Sequence, residues 1–173
     1  WKQVKAAGKD ILARPMALVS GNRTIEQSEQ SNNTSLSASA EWDVDGLMDW
    51  KLTLKPGHYE PMVLEIPLKA GEARLMHACV DGLRNNYGGR VPAGTGRVWD
   101  SAQTKSRREL KGSYMPYLWV GGALRGIAVF GDNDKGWVLG DLVPCQEIVR
   151  ETDGTVVVRL NLVQKAVDLA EAR

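Results

Sequence analysis

The residues best suited to chemistry gather between His77 and Trp137. His77 and Cys79 stand two apart, a spacing that puts both on one face of a strand together with Leu75. They could serve as two metal ligands, yet the chain holds only two His and two Cys. A structural zinc site takes four nitrogen or sulfur ligands, so a satisfied, half-buried histidine is the favoured reading. Asp132-Asn133-Asp134-Lys135-Gly136 looks like a calcium loop. An EF-hand needs glycine at its sixth position and an acid at its twelfth, where Trp137 and Val143 stand instead. The expectation is a polar hairpin turn between strands at Phe130 and Trp137. Gly94-Thr95-Gly96 is followed by no Lys-Ser or Lys-Thr and opens no strong helix, so a phosphate cradle is disfavoured. Glycines there suit positive φ or close backbone approach.

Carboxylates for acid–base work exist at Asp81, Asp100, Asp132 and Asp134. A glycosidase pair needs a set separation across the scissile bond, which spacing along the chain does not supply. Gly-x-Ser-x-Gly is absent from the sequence, and two histidines make a poor case for a triad. No catalytic residue, metal ligand or cofactor is assigned on these grounds.

Six Trp and four Tyr include Trp99, Tyr114, Tyr117, Trp119 and Trp137 in this central stretch. Aromatic faces beside Asp and Asn stack on the C–H surface of a sugar and bond its hydroxyls. Equally, large aromatics fill sandwich cores and domain interfaces. The residues expected to line a recognition surface are Asn85, Tyr87, Arg97, Trp99, Asp100, Trp119, Asp132 and Trp137. Polar and aromatic side chains carried by loops on a strand scaffold are the motive.

The elements that must hold these residues announce themselves by alternation of period two. Leu36, Ala38, Ala40 and Trp42 share one face; so do Met48, Trp50, Leu52 and Leu54, before Pro56-Gly57 stops the run. Met62 to Leu68 and Val156 to Leu162 repeat the pattern, and Asp153-Gly154 suits a tight turn back to a partner at Gln146 to Glu151. Shorter candidates are Ile11 to Val19, Arg74 to Val80, Tyr114 to Val120, Gly126 to Phe130 and Trp137 to Leu139. Gly21 to Thr34 is polar and reads as a loop or mobile hairpin. The tail from Val163 to Arg173 has helix-forming composition, although Val163, Val167 and Leu169 fit an extended strand as well. Many short strands punctuated by Gly, Pro, Asn and Asp predict an all-β fold, an antiparallel β-sandwich, with a large multi-strand supersandwich as its upper size.

With 173 residues the chain suits one domain with a sizeable core. Lys and Arg number 22 against 21 Asp and Glu, a net charge of +1 that gives no electrostatic ground for nucleic acid or an anionic membrane as partner. No run of 18 apolar residues offers a bilayer span. Trp1 opens the sequence with neither initiator Met nor signal pattern, and residues 1–173 are read as one domain cut from a larger protein. Cys79 and Cys145 form either one disulfide or two separate buried thiols.

One ordered series stands apart: His77-Ala78-Cys79-Val80-Asp81-Gly82, Arg84-Asn85-Asn86-Tyr87-Gly88-Gly89, Pro92 to Ser101, Tyr114 to Gly121, Arg125 to Phe130 and Asp132 to Trp137. It resembles the β-sandwich domain preceding the barrel in bacterial proteins similar to glycoside hydrolase family 123. The likeness extends to Leu12-Ala13-Arg14-Pro15-Met16, Asp45-Gly46-Leu47-Met48 and Val158 to Leu162, and so covers most of the chain as an overall pattern. The resemblance implies an exported, multi-domain carbohydrate-active protein, secreted or periplasmic, with its sugar-cleaving residues on a following (β/α)8 barrel. That barrel carries an adjacent Asp-Glu pair in the family, and this chain contains no Asp-Glu dipeptide, so no catalytic residue carries over. The implied role is a non-catalytic accessory domain packed beside the barrel and shaping its glycan cleft; an autonomous carbohydrate-binding module is the alternative. The family's tail continues as strand, which favours extended structure for Val163 to Leu169.

Overall fold

The computed structural model describes residues 4–6, 9–12, 25–31, 34–42, 47–79, 87–103, 114–140 and 143–173, with backbone alone for those up to 42 and for Met48, Trp50 and Gln103. Among the described residues the chain is all β apart from one 3-10 turn, Ser101–Gln103, and every strand pairing is antiparallel.

The strands are β1 (Val4–Ala6), β2 (Lys9–Leu12), β3 (Ile25–Ser31), β4 (Thr34–Trp42), β5 (Met48–Leu54), β6 (Gly57–Tyr59), β7 (Met62–Leu68) and β8 (Leu75–Cys79). There follow β9 (Tyr87–Arg90), β10 (Gly96–Asp100), β11 (Tyr117–Gly121), β12 (Gly126–Phe130), β13 (Gln146–Arg150), β14 (Val156–Val163) and β15 (Val167–Leu169). They form a six-stranded sheet, β10-β13-β14-β7-β1-β2, a four-stranded sheet, β12-β11-β8-β9, a three-stranded sheet, β3-β4-β5, and a ribbon of β15 with β6.

Alternation dictates which faces meet. In the six-stranded sheet Trp99, Ile148, Val158 and Ile66 lie in one cross-strand row, each almost without solvent contact. In the four-stranded sheet Met76 and Ala78 oppose Val120 and Leu118, again buried. All eight belong to one hydrophobic core, so the two sheets face each other across it as a sandwich. Gln146 pins the layers together: its side-chain amide donates to the carbonyl of Met115 and accepts from the Met115 N–H, at 2.7 and 3.2 Å. These bonds satisfy a polar group that lies 3 % exposed in the core.

Several expectations hold and others change. The strands at residues 36–42, 48–54, 62–68, 126–130 and 156–162 fall within β4, β5, β7, β12 and β14. The Asp153-Gly154 turn closes β13 on β14, with Gly154 at φ 87° and its N–H on Glu151 O. The tail is extended through β15, and Arg173 exchanges both backbone hydrogen bonds with Leu54. Of the loop and hairpin readings of Gly21 to Thr34, the described residues bear out the hairpin, with Ile25–Ser31 a full strand antiparallel to β4. Gly96–Asp100, read as loop, is the edge strand β10, and Gly57–Tyr59 and Tyr87–Arg90 are strands that alternation did not signal. Most of Ile11 to Val19 lies outside the described residues, which hold only its first two positions, in β2. Asp132 to Gly136 is a turn, but no hairpin. Val138 makes a single parallel bridge to Val163, so this segment carries the chain from one sheet to the other. Cys79 and Cys145 are separate thiols.

Candidate functional site

Of the eight residues expected on one surface, seven lie among the described residues, and strand register separates them over both sheets and the segment after β12. Arg97 and Trp99 would share a face of a regular strand. A β-bulge between them shifts β10, so that Arg97 pairs Val149 while Trp99 pairs Ile148 and Asp100 pairs Glu147. Trp99 therefore turns inward and is 2 % exposed. It is a core residue, which corrects its assignment to a recognition surface. The same bulge brings Arg97 and Asp100 onto the outer face beside Glu147. Arg97 Nε lies 3.4 Å from Asp100 Oδ2 and its Nη1 3.1 Å from Glu147 Oε1. Asp100 also accepts the N–H of Ala102 at 2.9 Å, capping the 3-10 turn.

Trp137 is half-buried against the core and meets Tyr114 edge-on, with ring centroids 5.4 Å apart. Burial, with Asp134 nearby, pushes the Tyr114 hydroxyl up to about 12, and it donates to Gly131 O. Asp132 is exposed in the turn that follows β12. Tyr87 is in register with Ala78, which places it on the core-facing side of edge strand β9; its hydroxyl donates to Arg90 O. Asn85 lies outside the described residues.

Of the seven that are described, Trp119 alone stands on the outer face of the four-stranded sheet, where a different set of residues gathers. Register places Phe130, Tyr117 and Cys79 in one row, Ala128, Trp119, His77 and Gly88 in the next, and Gly126, Gly121, Leu75 and Arg90 in a third. The indole of Trp119 lies across two glycines. A Cβ at Gly121 would come within 2.6 Å of its Cζ2, and one at Gly126 within 2.5 Å of its Nε1. Absence of side chains there is what lets a large flat ring rest on the sheet with its far side outward. Tyr117 meets His77 edge-on at 6.0 Å, and His77 Nε2 lies 3.3 Å from Cys79 Sγ. His77 is exposed, a correction to the half-buried reading, although its face shared with Leu75 and Cys79 is as the spacing predicts. Phe130 is 60 % and Leu75 37 % exposed. No carboxylate occupies these three rows.

This face is an aromatic surface with polar tips at Tyr117 and His77 and one cation, Arg90, at its β9 edge. Its chemistry is stacking and hydrogen bonding to a ligand that presents an apolar plane edged by hydroxyls. Among the described residues no three His, Cys, Asp or Glu side chains converge as a metal cluster. Sequence reading missed Tyr117, His77 and Phe130 as site members. Their signal was present in the alternation of β8, β11 and β12, but only the pairing order of those strands makes them neighbours.

Comparison with family models, with curated proteins and with solved structures found no match.

Proposed function

We propose that this chain is an accessory β-sandwich domain of a carbohydrate-active protein, and that the outer face of its four-stranded sheet contacts the glycan. The observation that carries the reading is the Trp119 indole laid over Gly121 and Gly126 on an open sheet face, flanked by Tyr117 and His77. A pyranose ring offers a C–H patch to such a surface and hydroxyls to its rim. The likeness of the central segments to the sandwich domain of proteins similar to glycoside hydrolase family 123 supports the same reading. In that setting the domain is exported, a (β/α)8 barrel follows it and supplies the catalysis, and this face borders the barrel's cleft.

The test is a glycan-array experiment on the 173-residue chain, followed by titration of any polysaccharide that binds. Saturable binding weakened about tenfold by Trp119→Ala, the equivalent of about 1.4 kcal/mol, is the expected result. Binding unaffected by Trp119→Ala would place the contact elsewhere. No binding to any glycan would remove direct contact by this domain and leave it the packing role beside the barrel.

A further inference from the structure

Strand β12 ends its sheet, and its open edge has the chemistry of a self-pairing edge. In the β11–β12 hairpin, Gly122 N–H donates to Arg125 O and Gly131 N–H to Pro116 O. Hydrogen-bonded pairs alternate along an antiparallel ladder, so the amides of Ile127 and Val129 point at β11. Those of Gly126, Ala128 and Phe130 point away from it. Among the described residues no strand pairs with that side. All three of these residues are exposed. Edge strands are normally guarded by Lys, Pro, bulges or inward charges. Gly126-Ile127-Ala128-Val129-Phe130 has none of them; Arg125 is the nearest charge, just before the strand.

We infer that β12 pairs antiparallel with β12 of a second copy of this chain, about a two-fold axis through Ala128. Three features select that partner and register. First, an axis at Ala128 pairs residues whose positions sum to 256, so Gly126 meets Phe130 of the second copy and Ala128 meets Ala128. Each outward N–H of Gly126, Ala128 and Phe130 on one strand then meets the outward C=O of its paired residue on the other. Secondly, the largest side chain of the strand falls opposite the position without one. Phe130 of each copy meets the Trp119 indole that covers Gly126 of the other. Aromatic pairs across neighbouring strands stabilise a sheet. Thirdly, the pairing brings no charge against a charge, because the strand carries none.

The result is a continuous eight-stranded sheet whose outer face holds two copies of Trp119, Tyr117 and Phe130. A contact of five residues per chain is well below the roughly 1,600 Å² of a standard stable interface, so the dimer dissociates on dilution. The inference does not depend on what the aromatic face binds.

Sedimentation of the chain from low micromolar to submillimolar concentration tests it. A reversible monomer–dimer equilibrium is expected, abolished by Ala128→Lys, which sets two ammonium groups face to face at the axis, and weakened about tenfold by Phe130→Ala. Circular dichroism and thermal melting confirm that each variant is folded. A second measurement needs no disruption: Ala128→Cys in a Cys79→Ser background should oxidise to a covalent dimer. Hydrogen-bonded partners across an antiparallel pair have Cα atoms about 5.5 Å apart, within disulfide range. Ala123→Cys, in the hairpin loop, should not crosslink. A chain that stays monomeric at every concentration, or a dimer indifferent to Ala128→Lys with no crosslink from Ala128→Cys, overturns the inference.

Discussion

The outer faces of the two main sheets are built on opposite principles. On the six-stranded sheet one register row runs Asp100, Glu147, Arg159, Glu65, Lys5 and Asp10 across all six strands. Arg97 enters this row between Asp100 and Glu147, so the sign of charge alternates from one edge to the other. Arg159 Nε donates to Glu65 Oε1 at 2.8 Å. The carboxylates of Asp100 and Glu147 are only 12 % and 13 % exposed and already bonded to Arg97. On the four-stranded sheet the corresponding rows hold aromatics, Gly, Ala, Cys and Leu, with His77 and Arg90 as the sole basic residues. On the first face Arg97 pairs with Asp100 and Glu147, and Arg159 with Glu65, beside an apolar row of Val149, Val157 and Pro67. The second leaves apolar rings uncovered, which costs free energy until something covers them. The proposed recognition rests on the aromatic face, whereas the Arg97–Asp100–Glu147 ion pairs tie the edge strand β10 to β13.

The sharpest separation comes from two tryptophans that the sequence treats alike. Trp99→Ala opens a cavity in the core and should destabilise the fold by about 3–5 kcal/mol in a denaturant titration. Trp119→Ala, on the surface, should cost much less stability and show its effect in glycan binding. Equal losses would erase the distinction between core and face. Next in size is Arg97→Ala, which leaves Asp100 and Glu147 opposed across β10 and β13 without their shared cation. Because Arg97 is half exposed, solvent screening limits the loss to about 1 kcal/mol, and glycan binding should not change.

Gly126→Ala probes the other face with little effect on stability. The three atoms nearest its Cβ all belong to the Trp119 ring, which must lift from the sheet. The indole emission should shift and glycan affinity fall. Gly121→Ala is the harsher relative, because its Cβ also meets Arg125 O and the Gly126 Cα at 2.6 Å. A spectrum unchanged by Gly126→Ala would mean that the ring does not lie there. The two cysteines report the same contrast chemically. Burial pushes the Cys145 thiol up to about 12, opposed by the hydrogen bond from Gln164, whereas Cys79 sits on the aromatic face beside His77. Iodoacetamide near pH 8 should label Cys79 and spare Cys145, as mass spectrometry of the labelled peptides would show.

The smallest effect lies outside both faces. His58, on the β6–β15 ribbon, bonds Asp168 Oδ1 at 2.8 Å and Glu60 Oε1 at 3.2 Å, and these partners raise its pKa above the ordinary 6.5. The folded value being raised, the contribution is fully present below pH 6.5 and is lost as pH rises through the folded value. An NMR titration should place His58 above 6.5, and Asp168→Asn should bring it down. An unshifted His58 would mean that the ribbon contact is absent in solution.

Alternation in β7 and β12 was legible because each strand has a more buried side and a wetter one, a property that a pattern of period two records directly. Strands such as β10 and β9 were not legible, since Gly96-Arg97-Val98-Trp99-Asp100 and Tyr87-Gly88-Gly89-Arg90 carry no clean alternation. A bulge breaks it in one, and glycines dilute it in the other. The site was legible only at Trp119. Sequence by itself determined the all-β class, the turn at Asp153-Gly154, and that Leu75, His77 and Cys79 share a face, because each follows from contacts within a few residues. Tertiary structure alone decided that Trp99 faces inward while Arg97 and Asp100 face out, and that His77, Tyr117, Trp119 and Phe130 form one surface. Those outcomes depend on which strands pair and in what register, and that choice is made by burial across the whole sandwich, over distances along the chain that local pattern does not reach.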